Sequence, residues 1–108
     1  EGWGRENNNI EVIAMAEVKV KMKSEDKDVF DFQVDVVESN TKTGHWVEVN
    51  RTDYDRLTGG GITPEELVEK SFIFLLQRES KESILRRFNL AKISYYFPEY
   101  EKEIKNYF

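Results

Sequence analysis

Two runs of strict alternation, EVKVKMK at Glu17–Lys23 and FDFQVDV at Phe30–Val36, constrain the first half of this chain more tightly than any other feature. Side chains of a strand point alternately to opposite faces, so a period of two gives a ribbon with one apolar and one polar side. The first pattern reaches back to Ile10: Ile10, Val12, Ala14, Ala16, Val18, Val20 and Met22 share a face opposite Glu17, Lys19, Lys21 and Lys23. In the second run Phe30, Phe32, Val34 and Val36 turn inward, and Asp31, Gln33 and Asp35 turn outward. SEDKD, Ser24–Asp28, forms the turn between them. A hairpin that aligns the apolar faces also sets Lys19, Lys21 and Lys23 beside Asp31, Gln33 and Asp35. Each pair of opposite charges favours that register by roughly 0.2–1 kcal/mol. The lysine row thus has a structural use that needs no nucleic acid.

A second turn is expected at SNTKTG, Ser39–Gly44, and HWVEVN gives a third strand with Val47 and Val49 inward. Beyond Arg51 the period changes from two to that of a helix. Thr52-Asp-Tyr-Asp55 has the form of a capping box with Asp in place of Glu, opening one or two helical turns through Leu57. The stretch GGGITPEELVEK, Gly59–Lys70, then admits two readings. A phosphate-cradling loop would need Lys-Ser/Thr after its glycines, and a dinucleotide fingerprint would need Gly-x-Gly-x-x-Gly between strand and helix. Neither is present, and Glu65 and Glu66 stand where a phosphate would sit. The caps account for every residue instead. The glycines end one helix; Ile62 serves as hydrophobic staple, Thr63 as N-cap, Pro64 as first helical residue and Glu66 as the capping-box return.

That second helix is expected to run to about Arg78, burying Leu67, Val68, Ser71, Phe72 and Leu75, with Phe74 and Leu76 on its flanks and Ile73 on the opposite side. A shorter helix over Ser80–Phe88 buries Ile84, Leu85 and Phe88, and another turn or two spans Leu90–Phe97 with Ile93 and Phe97 inward. Pro98 forces a boundary and opens a last helix through Ile104. Strands first and helices after define an α+β fold: a three-stranded antiparallel β-meander followed by three to four short helices packed on one face. Residues 1–9 form a polar tail, and residues 10–108 a single domain, as the length of 108 residues suits.

The chain contains no cysteine and one histidine, which removes disulfides, thiolate metal sites and cysteine nucleophiles and suits a reducing cytoplasm. The longest apolar run, Phe72–Leu76, is too short to cross a membrane. Residues 1–50 hold six Lys/Arg against eleven Asp/Glu and residues 51–108 hold ten against ten, for a net charge of −5. That balance disfavours broad contact with nucleic-acid phosphates. The clusters Glu25-Asp26-Asp28 and Glu99-Glu101-Glu103 lack the spacing of a calcium loop, so neither metal nor cofactor is expected. His45 with Glu38 or Asp35 is the one acid–base pair an enzyme could use, but no orienting third group or oxyanion site accompanies it.

Binding is therefore the expected activity, to a protein partner or to a second copy of the chain. Tyr95, Tyr96 and Tyr100 crowd near the C-terminus beside the locally basic stretch 78–92, and with Ile73, Arg86 and Arg87 they make up the candidate interface. Basic residues beside aromatics could also hold a single-stranded nucleic acid.

Residues 45–79, HWVEVNRTDYDRLTGGGITPEELVEKSFIFLLQRE, resemble a segment of the ribbon-helix-helix family of dimeric DNA-binding regulators: a short strand, a helix, a tight turn and a second capped helix. The resemblance implies a nucleic-acid-binding regulator whose strand pairs with its twin and faces the major groove. In this chain two strands precede that segment, and Trp46 and Glu48 would face the groove. SFIFLLQRES, SILRRF and YFPEYEKEI are similar to a group of short uncharacterised prokaryotic proteins, which implies a small stand-alone domain.

Overall fold

A computed structural model describes residues 16–108. The polar stretch 1–9 and the alternation at Ile10, Val12 and Ala14 lie outside the described residues. Strands β1 (Glu17–Glu25), β2 (Val29–Glu38) and β3 (Thr41–Asn50) form the antiparallel meander, and the expected register holds in its first half, with Lys19 opposite Asp35 and Lys21 opposite Gln33. It breaks after Met22, where an irregularity brings Ser24, not Lys23, opposite Asp31. Ser24 then donates a 2.7 Å hydrogen bond to the Asp31 carboxylate. At the β1–β2 turn Asp26 accepts 2.8 Å bonds from the amides of Asp28 and Val29, and these donors hold its carboxyl below the usual range.

The second turn is tighter than composition suggests. Only Ser39 and Asn40 separate β2 from β3, with Ser39 at φ 51°, and Thr41 is already strand. Thr41 and Thr43 are turn-tolerant residues, but their branched side chains also suit a pleated surface, and Thr43 completes the inward row with His45, Val47 and Val49. Gly44 lies opposite Asp35, where a Cβ would meet the Gln33 amide at 3.2 Å.

Helix α1 (Arg51–Thr58) follows β3 without a gap. Its N-cap is Asn50, which makes no side-chain cap bond, so the expected Thr52–Asp55 box does not form. Continuity with the strand moves the N-cap two residues back, from Thr52 to Asn50, and the Arg51 amide instead donates to the Asp28 carbonyl at 2.8 Å. Gly59 ends α1 in the left-handed region at φ 61°, donating to the Asp55 carbonyl, and Gly60 follows at φ 81°.

Helix α2 (Pro64–Leu76) begins as its sequence dictates. The Thr63 hydroxyl accepts from the Glu66 amide at 3.1 Å, and the Glu66 carboxylate accepts from the Thr63 amide at 2.9 Å. Thr63→Ala is expected to cost about 1 kcal/mol, read from urea denaturation, with Thr63→Ser close to wild type. Loss of less than a few tenths would mean the cap is not stabilising this helix.

Leu67, Val68, Ser71, Phe72 and Leu75 are buried as expected. Phe74 is fully buried rather than flanking, because the chain after Pro98 packs over that side of the helix as well. Ile73 is half-buried.

The largest departure is Ser80–Phe88. Only Lys81–Ser83 forms a helical turn; the chain then extends into β4 (Arg87–Asn89), which joins β3 in parallel. Among the described residues the sheet is therefore four-stranded and mixed, in the order β1-β2-β3-β4. The backbone bonds Trp46 N–H to Arg86 O and Leu90 N–H to Glu48 O, both 2.8 Å, close the edge of β3 that a meander alone would leave open. Phe88 and Leu90 point inward and alternate with Arg87 and Asn89, a period of two too short to read against the competing helical spacing of Ile84, Leu85 and Phe88. Helices α3 (Lys92–Tyr96) and α4 (Tyr100–Glu103) and a last turn at Ile104–Tyr107 complete the chain. One core joins Phe30, Phe32, Val34, Val36, Val47 and Val49 of the sheet to the buried residues of the helices.

Candidate functional site

The break in the expected helix over 80–88 opens a cleft. Its floor is Leu75, Ile84, Phe88 and Ile93, and Leu85 and Tyr96 stand at its sides, enclosing about 440 Å³. A helix would have turned Leu85 into the core. In the extended segment that leads into β4 it is left 43% exposed, and Tyr96 and Tyr95 are 57% and 75% exposed beside it. Large apolar side chains in the open around an apolar hollow are the arrangement that a partner's side chain can complete.

The cleft's sides are held by polar contacts. His45, 1% exposed, places Nδ1 2.7 Å from the Leu85 carbonyl and Nε2 2.8 Å from the Thr43 hydroxyl. A carbonyl can only accept, so Nδ1 carries the proton and Nε2 accepts from Thr43. Burial first, and then the nearby Arg86 charge, hold the His45 pKa below its ordinary value, so the ring is kept neutral. The Lys81 ammonium lies 3.2 Å from the Glu38 carboxylate and 2.7 Å from that of Glu82, fixing the start of the same segment to the end of β2. Across the cleft, Arg78 bonds Glu99 at 3.2 Å and Glu103 at 2.7 Å and lies 3.6 Å over the Phe74 ring, tying α4 to the end of α2. Glu79 is a half-buried wall residue whose carboxyl burial pushes up.

Of the residues singled out in the sequence, Tyr96 lines the cleft, and the Tyr95 ring, outside the lining, meets it edge to face at 5.2 Å. Arg86 and Arg87 are exposed, but Arg87 turns to the outer face of the sheet, where its guanidinium lies 5.6 Å over the Trp46 ring. Ile73 does not line the cleft. Tyr100 is no surface contact: it is 1% exposed, its ring 5.2 Å from that of Phe74 and its hydroxyl 2.6 Å from Ser71 Oγ. Pro98 ends the preceding helix so that α4 starts with Tyr100 facing inward, and the hydroxyl finds its partner in the one polar residue of the α2 core stripe. Leu85, Glu79 and Phe97 lie outside the interface expected from the sequence, which places Leu85 and Phe97 in the core and carries no signal for Glu79.

The His45 ring meets neither expected carboxylate. Asp35 lies on the outer sheet face, bonded by the Gln33 amide at 3.1 Å, and Glu38 receives Lys81. Among the described residues no group of three His, Asp or Glu side chains could hold a metal ion, and no helix is long and apolar enough to cross a membrane. Both edges of β3 are occupied, by β2 and β4. No protein-family signature, curated protein or solved structure matches the chain.

Proposed function

We propose that this chain is a non-catalytic protein-binding domain that takes a partner's apolar side chain into the cleft between the end of α2, the 83–88 segment and α3. The observation that carries the reading is the coincidence of an apolar hollow of about 440 Å³ with exposed Leu85 and Tyr96 at its sides. Its volume falls in the range of roughly 300–1,000 Å³ typical of binding clefts. A neutral His45 with both ring nitrogens engaged is tied into the wall and is not placed to shuttle protons, which speaks for binding over catalysis.

Selection of a displayed random-peptide library on the purified protein tests this. Peptides carrying a large apolar residue should be retained, and Leu85→Glu or Tyr96→Glu should weaken their binding about tenfold or more, because each puts a charge where the cleft's side meets the bound apolar residue. Both side chains are exposed, so the fold should be kept. Failure to select any peptide, or equal binding to the variants, would contradict the proposal.

A second reading is favoured by one observation. Lys21, Gln33, Trp46 and Arg87 lie in one row across the outer face of the sheet, a base-stacking indole with cations to either side. Binding of single-stranded oligonucleotide at low salt that weakens steeply with added salt and is lost in Trp46→Ala would support it.

A further inference from the structure

We infer that the segment received by the cleft carries a lysine or arginine beside its apolar anchor, and that Glu79 is the group that receives the cation; this rests on the protein-binding reading above. Among the described residues Glu79 is the only carboxylate lining the cleft and Lys92 the only cation lining it, and the other cations near Glu79 in the chain are engaged elsewhere. Arg78 is committed to Glu99, Glu103 and the Phe74 carbonyl, and Lys81 lies between Glu38 and Glu82. The Lys92 ammonium sits 5.4 Å from the centre of the Tyr95 ring. Among the described residues Glu79 has no ion-pair partner, and burial alone accounts for its raised pKa.

A half-buried carboxylate without a partner is a cost that the free protein bears and a bound cation offsets. The geometry suits a lysine or arginine because its aliphatic stem can lie along the apolar lining, which includes Leu75 and Phe97, while the charged head meets Glu79 at the side. Lys92 also lines the cleft, but it is exposed and its ammonium is turned to the Tyr95 ring, while Arg86 is exposed outside the lining and Arg87 lies on the outer sheet face. Glu79, set into the wall, acts through a lower effective dielectric and dominates at short range. The net charge of −5 adds a weak long-range preference for basic segments.

The test runs the peptide selection in parallel on wild type and on Glu79→Gln, which keeps the shape and removes the charge. Wild type should enrich Lys or Arg next to a large apolar residue, and Glu79→Gln should keep the apolar residue and lose the cation. For one selected peptide, replacing its lysine by norleucine should weaken binding to wild type about tenfold and leave binding to Glu79→Gln within about twofold. Apolar peptides with no charge preference, or an equal loss on both proteins, would overturn the role of Glu79 and leave the apolar cleft standing. Recovery of no peptide at all would overturn both.

Discussion

Replacing Phe74 by alanine is expected to remove about 3–5 kcal/mol of folding stability, the range for a fully buried aromatic ring. Phe74 has no exposed surface, and the rings of Tyr100, Phe97 and Tyr107 meet it at 5.2, 6.0 and 6.3 Å in edge-on geometry. The Arg78 guanidinium covers its face at 3.6 Å. Deleting the ring leaves a cavity under all four neighbours at once, and the surrounding backbone belongs to a helix that cannot collapse into it. Domains of this size are stable by only about 5–15 kcal/mol, so roughly a fifth or more of the total would be lost. Phe74→Leu, which keeps part of the volume, should cost less. Urea denaturation at fixed temperature reads both, and a loss below about 1 kcal/mol for Phe74→Ala would contradict the packing described. Because Phe97 both packs on Phe74 and lines the cleft, the alanine variant should also weaken peptide binding under conditions where it remains folded.

His45→Ala should be the next most damaging change, at about 2–4 kcal/mol, because it removes a buried ring and strands two polar groups. The Leu85 carbonyl loses its donor, the Thr43 hydroxyl loses its acceptor, and Phe72 loses an edge-on neighbour at 5.3 Å. The same residue gives a signature in pH. Burial lowers the folded-state pKa of His45 below the ordinary value of 6.5. Below pH 6.5 the unfolded chain therefore takes up a proton that the folded chain does not, and stability falls with pH until the depressed folded value is reached. Above 6.5 the group is neutral in both states and contributes no slope. Subtracting the pH profile of His45→Gln from that of wild type isolates this group from the carboxylates. A difference that is flat between pH 5 and 7 would contradict a buried neutral imidazole.

The parts of the fold that were legible in the sequence are those whose signals are local. Alternation over seven or more residues defined β1 and β2, and matching apolar faces gave their register as far as Met22, beyond which it shifts. The start of α2 could be read residue by residue from Ile62 to Glu66 because a capping box is a contact between neighbours in the chain. The illegible parts depend on distant partners. Arg87–Asn89 is a strand only because β3 offers it an edge, and nothing within SILRRFN distinguishes that from a short helix. Tyr100 is core only because Ser71, 29 residues away, supplies a hydroxyl. The candidate site inherits this limit. Tyr96 could be marked from the density of aromatics, but the cleft itself is a gap between three segments, and Leu85 becomes a contact residue only once the helix that would bury it is replaced by an extended chain.

Backbone amide NMR of the labelled protein, titrated with a peptide selected on it, tests binding through this cleft most directly. The largest shift changes are expected at Leu75 and Glu79, from Ser83 to Phe88, and from Lys92 to Phe97, with Lys21, Gln33 and Trp46 on the outer sheet face left in place. Changes centred on Lys21, Gln33 and Trp46, with the cleft residues unmoved, would contradict it.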